Sequence, residues 1–132
     1  MLYVDSNVFI YAALNREEIG DRARSLLRDI QRGKLRAASS ALTFDELVWA
    51  VRKHRGFEDA IAAGDAFLNM AGLKLVDVTG DLLSRAVGLM TQYQLHPRDS
   101  IHAASALWEN SEAIISTDKD FDKLNEIRTR TI

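Results

Sequence analysis

The sequence predicts an α/β domain built on a central, mostly parallel sheet, and three observations carry that prediction. Short apolar runs alternate along the whole length with stretches of helical periodicity. Ten or more helical residues separate consecutive runs, too many for hairpins, so the strands must be joined by right-handed crossovers with helices on both faces. The length, 132 residues with neither repeat nor linker, fits one domain spanning 1–132.

The elements follow in order. Leu2 to Val4 is a short apolar strand ending at Asp5, after which Ser6 can cap a brief helix through Ala13. Ala23, Leu26, Leu27 and Ile30 share one helical face, and Gly33 stops that helix. Leu35 to Ser39 reads as a second strand. Leu47, Val48 and Val51 keep helical spacing between Thr43 and Arg55 until Gly56 breaks it, and a further helix fits Phe57 to Ala71. Leu73 to Val78 suits a strand, and Thr79 caps a helix lasting to about Tyr93. The single proline, Pro97, opens a helix carrying Ile101, Ala104 and Trp108 on one face. Ala113 to Ser116 suits a strand, Lys119 to Leu124 a helical turn, and Ile127 to Ile132 a last strand.

Composition excludes several classes. Hydrophobic residues at 47% and charged residues at 27% are ordinary for a folded soluble protein. The absence of Cys removes disulfide scaffolds, thiolate zinc sites and cysteine nucleophiles together. The longest apolar run, Val8 to Leu14, falls far short of the ~18 residues that span a bilayer. Asp5 interrupts any signal-peptide reading, so the expectation is a cytoplasmic protein with no membrane partner. Net charge is 17 − 19 = −2, which argues against nucleic acid until the carboxylates are sorted; with four assigned to a metal the remainder is 17 − 15 = +2. Arg24, Arg28 and Arg32 then form a stripe at i, i+4 spacing, and Arg52, Lys53, His54 and Arg55 form a basic block. Either is a solvated face unless the rest of the molecule points to phosphate.

Functional groups of parallel sheets collect beyond the carboxyl ends of the strands. Asp5 closes the first strand, Glu46 follows the second, Asp99 opens the helix after Pro97, and Asp118 follows the strand ending at Ser116. Taken singly, three have local explanations: Thr43-x-x-Glu46 is a capping box, Asp99 suits a helix dipole, and Asp118 suits a turn. An acid ending a buried strand has little local purpose. Four segments delivering acids to one rim would repel unless some took up protons, and a hard divalent ion, Mg²⁺ or Mn²⁺, removes that conflict. His54 and His96 carry no signal. His102, three residues after Asp99, reads as a buried and satisfied imidazole whose removal should leave metal affinity unchanged. Acid-held magnesium with open water positions points to phosphodiester hydrolysis, and no Gly-rich loop of the Walker type is present.

Met1-Leu-Tyr-Val-Asp5-Ser-Asn7-Val resembles the opening of PIN-domain ribonucleases, in particular the VapC-type toxins of toxin–antitoxin pairs. Thr43-Phe-Asp-Glu46-Leu, Arg98-Asp99-Ser-Ile-His102-Ala-Ala and Ser116-Thr-Asp118-Lys-Asp120-Phe121 extend the resemblance through the chain in order and spacing. The resemblance implies a three-layer α/β/α sandwich and Mg²⁺- or Mn²⁺-dependent cleavage of RNA. It assigns Asp5, Glu46, Asp99 and Asp118 as the catalytic, metal-holding quartet. Asn7 would steady a coordinated water or ligand, and Asp120 would be a fifth, outer acid. Ser116 stands where the family usually has Thr, which keeps the hydroxyl. Asp45 beside Glu46 and Asp122 near Asp120 are alternative donors within their groups. The family also implies a cognate antitoxin that blocks the site when bound, and a homodimer, for whose apolar surface Phe44, Trp49, Phe57 and Phe67 are candidates, with core packing as their other role.

Two other readings are open at this level. A PIN-like module without activity, binding only RNA or protein, is compatible with the same motifs. An acid-cluster phosphotransfer or phosphatase domain is disfavoured, because the Asp-x-Asp expected after the first strand has Asn7 at its second acid, and no phospho-acceptor Asp follows a middle strand.

Overall fold

The computed structural model describes residues 1–132. Five strands, β1 (Leu2–Val4), β2 (Ala37–Ser40), β3 (Leu73–Val76), β4 (Ala113–Ile115) and β5 (Arg128–Arg130), form one sheet in the order β3-β2-β1-β4-β5. Every pairing is parallel. The helices are α1 (Ser6–Leu14), α2 (Glu18–Gln31), α3 (Ala41–Arg55), α4 (Phe57–Leu68), α5 (Gly80–Tyr93) and α6 (Pro97–Trp108), and a 3₁₀ turn spans Lys119–Lys123. The predicted α/β class therefore holds, with a sheet that is parallel throughout.

The three layers follow from the period-2 alternation of the strands. Leu2, Val4, Ala37, Ala113 and Ile115 face one way, into a core shared with Val8 and Phe9 of α1, Ala23, Leu27 and Ile30 of α2, Leu47 and Val51 of α3, and Ala60 and Phe67 of α4. Tyr3, Ala38, Val76 and Ile114 face the other way, against Leu82, Ala86 and Leu89 of α5, Ala103 and Ala104 of α6, and Phe121. Four helices thus cover one face and two the other. The change of face comes with the crossover from β3 to β4, which passes from one side of β1 to the other. That leaves a crevice between the carboxyl ends of β1 and β4, where ligands bind in sheets of this type.

Local physics shifted several boundaries. β2 is Ala-Ala-Ser-Ser, a weak strand former by composition, yet all four residues are buried between two parallel neighbours. Small side chains there allow α6 to pack onto the strand. Ser40 caps α3 by accepting a hydrogen bond from Leu42 N at 3.0 Å, so the helix starts before Thr43 and the expected capping box does not form. Thr43 is instead fully buried, its hydroxyl 2.8 Å from that of Ser39. Asp5 rather than Ser6 caps α1, accepting from Ser6 N at 2.8 Å. The cap at Thr79 is as predicted, with its hydroxyl accepting from Leu82 N at 3.2 Å. No helix is long and apolar enough to cross a membrane.

Candidate metal centre

Each acid reaches the rim through its own element. Asp5 extends from β1, and its carboxylate is nearly buried. One oxygen caps α1; the other accepts from Ser116 Oγ at 2.7 Å. The side chain whose local purpose was obscure in the sequence thus has two structural partners. Asp99 lies in the first turn of α6. Asp118 caps the 3₁₀ turn by accepting from Asp120 N at 2.9 Å. Glu46 lies on α3, freed from any capping duty by the helix start at Ser40.

Carboxylate oxygens of Asp99, Asp118 and Asp120 lie within 4.8 Å of one another. Burial, then the charges of Asp118 and Asp5, push the Asp99 carboxyl up to about 6. Burial also raises the Asp5 carboxyl above the ordinary carboxylate range, against the opposing effects of His102 and the Ser116 hydroxyl. Burial leads in both cases, and at Asp99 the crowding of neighbouring carboxylates adds to it.

Ser116 joins the cluster. Its hydroxyl donates to Asp5 and accepts from Asn7 Nδ2 at 3.2 Å and from Asp118 N at 2.9 Å. Asn7 Nδ2 donates also to Thr117 Oγ1 at 2.8 Å, which fixes the orientation of the amide. Asn7 Oδ1 is then buried with no partner in the protein. A buried carbonyl oxygen left unpaired is costly and calls for a donor from outside the chain, such as water on a cation.

The donor set fits a hard divalent ion. It offers carboxylate and amide oxygens and no thiolate, and the one nearby imidazole has both nitrogens committed. His102, almost wholly buried, pairs through Nδ1 with the Tyr3 hydroxyl at 2.7 Å and through Nε2 with Glu46 Oε1, and Asp5 Oδ1 lies 3.6 Å from Nε2. Burial raises the Glu46 carboxyl, but the hydrogen bond and charge of His102, joined by the Ser6 hydroxyl and the charge of Arg98, together outweigh it and leave Glu46 below its ordinary value. Burial alone would depress the His102 imidazole; the bond to Glu46 and the charge of Asp5 carry it above its ordinary value.

Other sequence candidates fall elsewhere. Arg24 donates to the carbonyls of Ala12 and Asn15 at 3.0 and 2.7 Å and pairs with Asp21, tying α2 to the end of α1. Arg28 and Arg32 are exposed along the same helix. Arg52 sits over the Phe57 ring and Lys53 over the Trp49 ring, 5.3 and 5.1 Å from the centroids. Arg55 lines a surface cavity with His54 and Tyr11. Asp45 and Trp49 border a cavity of about 210 Å³ next to Glu46 and Arg98. Phe67 is core, whereas Phe44, Trp49 and Phe57 are exposed. Tyr3, Thr117 and the Glu46 partnership of His102 were missed from sequence. The available signal was a hydroxyl-bearing aromatic in mid-strand, which must find a polar partner when buried.

Comparison with known proteins agrees with this fold. No curated protein is significantly similar in sequence. Among solved structures, the VapBC2 complex of Rickettsia felis bound to a promoter DNA fragment matches with a TM-score of 0.77 at 20% identity, over 99% of this chain and 98% of that one. Mycobacterium tuberculosis VapC20, a sarcin–ricin loop cleaving toxin, matches with a TM-score of 0.76 at 16% identity over 92% and 93%. DNA-bound VapBC of Salmonella typhimurium matches with a TM-score of 0.72 at 19% identity over 98% and 96%. At such identities the likeness speaks for the fold. The PIN domain family model matches residues 2–127, from the strand that ends at Asp5 to beyond the turn capped by Asp118, so the chain belongs to the PIN-domain family.

Proposed function

We propose that the chain is a Mg²⁺- or Mn²⁺-dependent endoribonuclease that hydrolyses RNA phosphodiester bonds as the toxin of a toxin–antitoxin pair. The observation that supports this reading is the close approach of the Asp99, Asp118 and Asp120 carboxylates, with Asp5 near enough to raise Asp99, alongside a buried Asn7 Oδ1 that has no partner. Asp5, Asp99 and Asp118 would hold the ion, with Glu46 and Asp120 beside them. A divalent ion held there supplies a Lewis acid for a phosphate oxygen and makes water a better nucleophile at neutral pH.

The protein groups do the positioning. Ser116 fixes the rotation of the Asp5 carboxylate, and Asn7 Oδ1, buried and unpaired, would accept a hydrogen from a bound water and so aim it. Glu46, kept ionised by His102, can accept the proton that the attacking water loses. Arg98, which lines the same cavity as Trp49, would contact RNA phosphate, and Arg52, Lys53 and Arg55 extend positive charge along α3. Arg28 and Arg32 are weaker RNA contacts on α2.

RNA is the substrate class to test because the M. tuberculosis relative is a sarcin–ricin loop cleaving toxin. A cognate antitoxin is proposed because the R. felis and S. typhimurium relatives are VapBC assemblies. A homodimer is proposed because Phe57, Ile61 and Leu68, all on α4, expose apolar side chains. The test is cleavage of structured RNA with Mn²⁺ by the wild type, Asp5→Asn and Asp99→Asn. A drop of at least ~100-fold in both variants is expected, since a lost ligand removes charge stabilisation from the transition state. Wild-type activity in either variant overturns the assignment.

A further inference from the structure

We infer that Tyr3 and His102 are positioning residues that fix the Glu46 carboxylate toward the acid cluster. The inference rests on the reading of Glu46 as part of the metal centre and specifies how that residue is held. Sequence alone made His102 a neutral control; its contacts make it a support of the site.

Three hydrogen bonds, two buried and the last part-buried, form a continuous chain. Ser40 N–H donates to the Tyr3 hydroxyl at 3.1 Å, the Tyr3 hydroxyl meets His102 Nδ1 at 2.7 Å, and His102 Nε2 meets Glu46 Oε1. Tyr3 is completely buried and His102 almost so. Glu46 can only accept, so Nε2 carries its hydrogen toward Glu46 whichever way the Tyr3–His102 hydrogen points. One carboxylate oxygen is thereby engaged by His102, and the Ser6 hydroxyl also lies against the carboxylate.

The placement in the fold gives this chain its purpose. Tyr3 lies two residues before Asp5 on β1, and its side chain crosses to the α6 face of the sheet. His102 lies one helical turn beyond Asp99 on α6. Ser40 caps α3, the helix that carries Glu46. The relay therefore fixes a long, flexible Glu side chain relative to the strand and helix that carry two other acids. A Glu side chain about one-fifth exposed would otherwise sample several rotamers and lose that freedom each time an ion bound. Supporting hydrogen bonds of this kind change metal affinity by ~10–100-fold when removed.

The experiment measures Mn²⁺ affinity and RNA cleavage of the full chain in Tyr3→Phe, His102→Leu and His102→Gln, each in the wild-type and in the Glu46→Gln background. Metal-free side-chain three-bond couplings of residue 46 are recorded alongside. Expected is a loss of ~10-fold or more in Mn²⁺ affinity for His102→Leu, a smaller loss for Tyr3→Phe, and recovery in His102→Gln, whose amide can donate to Glu46. In the Glu46→Gln background these substitutions should add little, because the coupling runs through that carboxylate. Equal losses in both backgrounds indicate a general structural role and overturn the proposal, as does no loss in His102→Leu. Should His102→Leu fail to fold, the Tyr3→Phe cycle decides in the same way. Without metal, residue 46 should occupy one rotamer in the wild type and several in the variants; averaging in the wild type overturns the positioning role. A wild type that holds one rotamer and binds no Mn²⁺ instead overturns the metal reading alone.

Discussion

Ser116 has one hydroxyl, and through it the ends of β1 and β4 are tied together: Asp5 accepts its hydrogen while Asn7 and the Asp118 amide donate to it. Such a hub tolerates little change, because removing the oxygen strands two donors and frees a buried carboxylate. Asp5→Asn is a gentler probe. Asn caps helices as well as Asp does, so the variant should keep a cooperative melt while cleavage falls at least ~100-fold. Circular dichroism and an RNA assay on the same sample check both halves. Asp99 gives a pH prediction. Its folded carboxyl titrates near 6, above the ordinary 3.8, so without metal the folded state holds a proton that the unfolded chain has already lost. Stability of the metal-free protein should therefore fall as pH rises from about 4 through 6. Mn²⁺ affinity should move the opposite way, weakening as pH drops below about 6 because ion and proton compete for one carboxylate. Calorimetry of Mn²⁺ binding at pH 5 and 7 checks the sign, and equal affinity at both would count against Asp99 as a ligand.

The elements that deliver the acids are held by contacts unrelated to chemistry. Gly72, in the turn from α4 to β3, has φ +78°, and a Cβ there would lie 2.4 Å from the Ile30 carbonyl oxygen. Gly72→Ala should therefore destabilise the fold by ~2 kcal/mol or more, combining left-handed backbone strain with a clash against fixed backbone. Urea denaturation reads this directly. Arg24 ties the end of α1 to α2 by two backbone contacts. Arg24→Gln should lower the unfolding midpoint and leave the salt dependence of RNA binding unchanged, whereas Arg52→Gln with Lys53→Gln should flatten that slope by about two phosphate contacts. Little of this was open to sequence reading. The helical pattern of α3 was visible, but its start was not: Ser40 and Thr43 are both good caps, and burial of Thr43 against Ser39 decided between them.

At the scale of the molecule, a parallel sheet whose order reverses beside β1 makes one crevice, and acids distant in sequence meet there at the cost of mutual repulsion. A cation that relieves it stabilises the folded state, by about 2.7 kcal/mol at a hundredfold excess over Kd. Millimolar Mn²⁺ should raise the melting temperature by several degrees at pH 7 and by less at pH 5, as differential scanning fluorimetry would show. An unchanged melting temperature at pH 7 would contradict a preformed site.

The α/β class, the strand sequence and the acids at strand ends could be read from the chain because periodicity and spacing are local properties that survive in one dimension. The partners of those acids could not. A hydrogen bond such as Tyr3–His102 joins residues 99 positions apart, and Ser116–Asp5 spans 111. Nothing in composition or period encodes which polar groups meet once the sheet twists and α6 closes over it, so the positions of Asn7, Ser116 and His102 within one polar network were settled by tertiary packing.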